Sequence, residues 1–93
     1  MKTREYMMDH LESDFKMDFV AITENFNGVE GGIWLSGENG ETAKDGRELF
    51  DYWSDDYSIY SHGVHVEIRK WAEKHGWWFE WNDPGTIMLW PND

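Results

Sequence analysis

From Gly63 to Pro91 the chain carries a helix, a stop and a hairpin in succession, and this stretch limits its possible folds more than any other. Val64, Ile68, Trp71, Ala72 and His75 fall at i, i+4, i+7, i+8 and i+11, one stripe of a 3.6-residue period. The spacing predicts a helix over Gly63 to His75. Arg69 with Glu73, four apart, and Glu67 with Lys70, three apart, add about 0.3 kcal/mol each. Lys74 and His75 occupy the last turn, where free backbone carbonyls favour cations. Gly76 then takes the left-handed conformation that ends a helix.

Two strands should follow, Trp77 to Trp81 and Thr86 to Trp90, joined by Asp83-Pro84-Gly85-Thr86. Proline presets φ at the first central turn position and glycine accepts φ > 0 at the second. With Asp83 facing Thr86, Trp81 is expected opposite Met88 and Phe79 opposite Trp90, on one sheet face. Trp78, Glu80, Ile87 and Leu89 then form the other face. A one-residue slip would exchange the faces, so the register rests on the turn.

The N-terminal half is read the same way. Thr3 can cap a helix reaching about Phe15, with Met7, Leu11 and Phe15 as its ridge. Met17 to Phe26 reads as a strand, and Asn27-Gly28 is the strongest two-residue hairpin signal available. Its partner strand should cover about Gly31 to Ser36, with Gly31-Gly32 marking a bulge or a close backbone approach. Residues 37 to 46 are polar and turn-rich, with a tight turn expected at Asp45-Gly46. A short helix is expected over Arg47 to Trp53, followed by an irregular connection to His62.

The predicted order is α-β-β-(short α)-α-β-β. It describes an α+β fold: one domain over 1–93, with one small antiparallel sheet of about four strands in two hairpins. Two main helices should pack on one face of that sheet.

Composition narrows the function classes. There is no cysteine, which excludes a disulfide framework and a thiolate metal site. No apolar run approaches the roughly 20 residues of a membrane span, and Met1 to Glu5 lacks the apolar core of a signal peptide. A soluble, cytoplasmic protein is expected. Nineteen acids against eight Lys and Arg give a net charge of −11. Seven Trp, four Tyr and five Phe set the chain apart from acidic disordered segments, which are poor in aromatics. A surface this negative repels phosphate and disfavours direct nucleic-acid binding, while steering the protein toward basic partners. Acidity also serves plain solubility.

No enzyme signature is present. His62 and His65, with Asp55 and Asp56 before them, could meet a divalent ion, but no further ligand set of recognised spacing completes a site. Glu80 stands among aromatic neighbours, yet alternation places it opposite Phe79 and Trp81, toward solvent. No serine lies in a nucleophile elbow and the glycines form no phosphate loop, so neither a cofactor nor catalysis is expected. Two groups of residues are left as binding candidates. Glu38, Glu41, Asp45, Glu48, Asp51, Asp55 and Asp56 place seven acids within nineteen residues. Trp34, Trp53, Tyr57 and Trp78 are the aromatics not assigned to the core, and exposed Trp and Tyr are favoured interface anchors.

Leu49-Phe50-Asp51-Tyr52-Trp53, Gly63-Val64-His65 through Gly76-Trp77, Glu80-Trp81 and Gly85-Thr86 resemble segments of small acidic uncharacterised phage- and prophage-encoded proteins. The resemblance covers the C-terminal half and implies a class rather than a site. Some members of that class inhibit host nucleases, restriction systems or DNA-repair enzymes by imitating DNA charge. The expected function is therefore a non-enzymatic acidic interaction protein that binds a basic, nucleic-acid-handling host protein. Two alternatives stand beside it. One is a ligand-binding or enzymatic domain with an aromatic pocket between helix and sheet, built from Trp34, Trp53 and Trp78. The other is a phage structural accessory protein that pairs with itself through a sheet edge.

Overall fold

The computed structural model describes residues 1–92. Its elements are α1 (Arg4–Ser13), β1 (Val20–Ile22), α2 (Glu24–Asn27), β2 (Ile33–Ser36), β3 (Tyr60–Ser61), β4 (Val64–His65), α3 (Val66–Lys74), β5 (Trp77–Asp83) and β6 (Thr86–Pro91). Four strands form one antiparallel sheet in the order β1-β2-β6-β5, and β3 pairs with β4 in a separate two-stranded sheet. The expected α+β fold is present. Its two hairpins meet through their second strands, β2 against β6.

One cluster of buried side chains fills the space between helices and sheet. Met7 and Leu11 come from α1, Ile68 and Ala72 from α3, Ile33 and Leu35 from β2, and Ile87 and Leu89 from β6, with Leu49 and Phe50 from the intervening loop. The two helices are also joined by ring contacts at their ends, Phe15, just beyond α1, on Trp71 at 5.0 Å and Tyr6 on His75, just beyond α3, at 5.4 Å between ring centroids. In β2, Trp34 and Ser36 alternate with the core-facing residues onto the outer face, which also carries Met88, Trp90, Trp78 and Glu80.

α1 begins as the sequence predicts: the Thr3 hydroxyl oxygen accepts the Tyr6 N–H at 3.2 Å. It stops at Ser13, short of Phe15, because Lys16 turns to φ 58° and the Met17 N–H returns to the Leu11 carbonyl. The strand expected from Met17 to Phe26 is reduced to Val20–Ile22. Thr23 is fully buried; its hydroxyl donates to the Val29 carbonyl at 2.6 Å and accepts the Gly32 N–H at 3.0 Å. Glu24 is held by Arg4 at 2.7 Å. These anchors wind residues 24–27 into one helical turn, so Asn27-Gly28 ends a helix instead of closing a two-residue hairpin. Gly28 still supplies the positive φ, at 80°. Gly32 is the close approach that was expected: a Cβ there would lie 2.5 Å from the Trp90 ring.

Three further expectations are corrected. The main helix starts at Val66 rather than Gly63, because Val64 and His65 pair with Tyr60 and Ser61, and the His65 ring then caps the helix by accepting the Glu67 N–H at 3.0 Å. No helix forms over Arg47 to Trp53. Leu49 and Phe50 are adjacent and both buried, which a single helical stripe at a surface does not favour, and the segment instead makes bridges from Glu48 to Thr42 and from Phe50 to Val64. The β5–β6 register keeps Asp83 opposite Thr86, but an irregularity between Trp81 and Asp83 leaves Asn82 out of the pairing. Trp81 therefore faces Ile87 and Phe79 faces Leu89, toward the core, while Trp78 pairs with Trp90 outside. The tight turn at Asp45-Gly46 is as expected, with Gly46 at φ 84° and its N–H on the Ala43 carbonyl.

Candidate interaction surface

The segment from Gly37 to Ile59 carries the acidic candidates, and backbone bonds to buried neighbours tie it down. Leu49 N–H reaches the Glu41 carbonyl, Asp51 N–H the Gly63 carbonyl, and Tyr60 N–H the Asp56 carbonyl, all within 3 Å. With Leu49 and Phe50 inserted in the core, the polar residues around them are forced outward. Glu38, Glu48 and Asp51 line one shallow groove of about 230 Å³, together with Tyr52, Trp53 and Pro84. Tyr60 marks the same convergence from beneath. Its hydroxyl donates to the Glu48 carbonyl at 2.7 Å, and its phenol is pushed up by burial and by the charges of Asp51, Glu48 and Asp45.

The other acids differ in role. Asp45 turns inward: it accepts the Arg47 backbone N–H at 2.9 Å, stands 2.9 Å from His65 Nε2 and 3.1 Å from the Arg47 guanidinium. The Arg47 N–H, then His65, hold its carboxyl down at about 2. Asp45 is thus a structural anchor at the edge of the patch. Asp56 accepts the Ser58 hydroxyl at 2.6 Å, which lowers its pKa and fixes the turn that follows. Asp55 is exposed and Glu41 half-buried, and neither carboxylate has a hydrogen-bond partner among the described residues. Only Lys44 and Arg47 offset these seven acids between residues 38 and 56.

The four aromatic candidates separate into two pairs. Trp53 and Tyr57 project from the acidic segment, 78% and 81% exposed, so they contribute almost nothing to the core. Trp34 and Trp78 lie on the outer sheet face, where Phe19 and Phe26 pack on Trp34 at 4.8 and 4.9 Å. Among the described residues Trp34, Trp53 and Trp78 do not come together in one pocket: Trp34 lies under Phe19 and Phe26, Trp53 projects from the acidic segment, and Trp78 borders a cleft with Arg69 and Glu73 of α3. Sequence reasoning missed Tyr52, which packs edge-on against both Trp53 and Trp81 and props the exposed indole. Its adjacency to Trp53 was the available signal.

His62 and His65 also go separate ways. His65 is buried as a helix cap, and His62 is exposed at φ 51° with its carbonyl accepting the Trp81 indole N–H at 2.6 Å. Glu80 lies on the outer face opposite Met88, exposed. Among the described residues, no helix is long and apolar enough to cross a membrane. No protein-family model, curated protein or solved structure matches this chain.

Proposed function

We propose that the protein is a non-enzymatic interaction protein that presents its acidic, aromatic-tipped segment to the basic surface of a partner protein. The observation that carries this reading is the groove where Glu38, Glu48 and Asp51 converge beside the exposed Trp53. An indole left in water beside three carboxylates is well suited to a groove rich in Arg and Lys, through charge and through cation–π contact. The net charge of −11 would speed encounter with such a surface and keep nucleic acid away from this chain. A partner whose basic surface grips DNA or RNA fits best, and occupation of that surface would inhibit it. In this reading the protein acts in the cytoplasm of a host cell, as the phage-type resemblance implies.

Capture of partners from a lysate of the source organism, washed at low and at high salt, tests the proposal. A nucleic-acid-binding protein retained at low salt, released at high salt and displaced by duplex DNA is the expected result. Capture of the same protein, with the same salt dependence, by the double variant Glu38→Lys/Glu48→Lys would remove the acidic groove from the function.

A further inference from the structure

A second and larger groove, of about 630 Å³, opens between the end of α1 and residues 42–44, against one side of α3. Its apolar lining is Phe15 and Trp71, both half-buried and packed edge to face. Two of the chain's eight Lys and Arg residues, Lys16 and Lys44, also line it. So do two acids, which leaves the formal charge of the groove balanced where the chain as a whole is strongly negative. Asp14 lies 2.6 Å from His10 Nδ1, and Glu67 accepts the Lys44 backbone N–H at 3.3 Å. Neither lysine has a carboxylate within ion-pair distance among the described residues, in a protein with acids to spare. Lys16 adopts φ 58°, which L-residues rarely do, and its ammonium donates once, to the Ser13 carbonyl at 2.8 Å. Two further N–H donors remain on it.

We propose that this groove binds a small planar aromatic anion, its ring against Trp71 and Phe15 and its phosphate or carboxylate between Lys16 and Lys44. The volume falls in the range of roughly 300–1,000 Å³ typical of small-molecule sites. An apolar aromatic wall with a few polar groups at its rim is the usual composition of such sites. The lysines act as point charges toward either anion, so the groove accepts both chemistries. The net charge of −11 makes most of the surface unfavourable to anions, which sets the paired lysines of this groove apart from it. The groove is separate from Glu38, Glu48 and Trp53, and the inference stands independently of the partner proposed above.

Titration of the isotope-labelled full chain, followed by NMR, tests this with adenosine 5′-monophosphate and 2-naphthoate as probes. Adenosine and inorganic phosphate serve as half-ligands. Saturable shifts at the Trp71 indole and the Ala43 and Lys44 amides are expected with one or both anionic aromatics. Response to the phosphate probe alone, or to the carboxylate alone, identifies the anion. Each half-ligand should bind on the order of tenfold more weakly, as should the Lys44→Gln variant. Among the described residues Lys44 Nζ makes no hydrogen bond, so Lys44→Gln removes the charge without breaking such a bond. Absence of saturable shifts with both probes overturns the proposal. So does adenosine binding as tightly as its monophosphate, or unchanged affinity in both Lys44→Gln and Lys16→Gln.

Discussion

The His65 ring joins two elements twenty residues apart: Nε2 stands 2.9 Å from Asp45 Oδ2, while Nδ1 accepts the Glu67 N–H at 3.0 Å. Because Nδ1 is an acceptor, the ring proton sits on Nε2 and points at the carboxylate. One buried side chain therefore caps α3 and pins the acidic loop to it.

His65→Ala removes the cap, leaves the Glu67 N–H without its acceptor and leaves Asp45 with Arg47 alone. A loss of about 2 kcal/mol is expected, read as a lower urea midpoint with an unchanged m-value. His65→Asn, whose side-chain oxygen can accept the same N–H, should recover part of it.

Acid should weaken the fold through the carboxyls that folding holds below their ordinary values, Glu24 and Asp45 foremost. Glu24, held down to about 2 chiefly by Arg4, and Asp45, held down to about 2 chiefly by the Arg47 N–H, both ionise more readily folded than unfolded. Their contribution is complete above their ordinary values of 4.5 and 3.8 and is lost as pH falls toward 2. Thermal midpoints measured from pH 6 to pH 2 should fall across that window, and Glu24→Gln should show a shallower fall. A variant with the same slope as the parent would show that Glu24 carries none of it.

Gly32→Ala sets a methyl group 2.5 Å from the Trp90 ring and 2.9 Å from Thr23 Cγ2. The Trp90 ring and the Thr23 side chain must give way, so a destabilisation of about 1–3 kcal/mol is expected. Trp90→Leu should relieve part of it in the double variant, measured by a double-mutant cycle.

Leu89→Ala and Trp53→Ala should have opposite consequences. Leu89 is fully buried between sheet and helices, and its truncation should cost about 2–5 kcal/mol. Trp53 is 78% exposed, and its truncation should change stability by less than about 0.5 kcal/mol while weakening partner capture. Calorimetry and the salt-dependent capture assay, run on the same two variants, separate the effects.

Local patterns made much of the fold legible. The Thr3 cap, the Ile68–Ala72 stripe, the Gly76 stop, the Asp83–Thr86 turn and the closeness demanded at Gly32 each follow from residues adjacent in sequence or one helical turn apart. The seven acids were equally visible, because composition needs no contacts. Their division was not. Asp45 becomes an internal anchor only because His65 comes back to it, whereas Glu38, Glu48 and Asp51 share a groove because Leu49 and Phe50 are drawn into the core.

Asn27-Gly28 and Asn82 show where local chemistry stops. Asn-Gly determined that the chain would turn with a positive φ, and it did. That the turn closes a helix was decided by Thr23 and Glu24, bound to Val29, Gly32 and Arg4 across the fold. Alternation likewise determined that Phe79 and Trp81 share a face. Which face that is, and what stands opposite, was decided by a single unpaired residue, Asn82. With a side-chain period of two, one extra residue exchanges inside for outside, and only burial of Phe79, Ile87 and Leu89 against the helices favours one choice over the other.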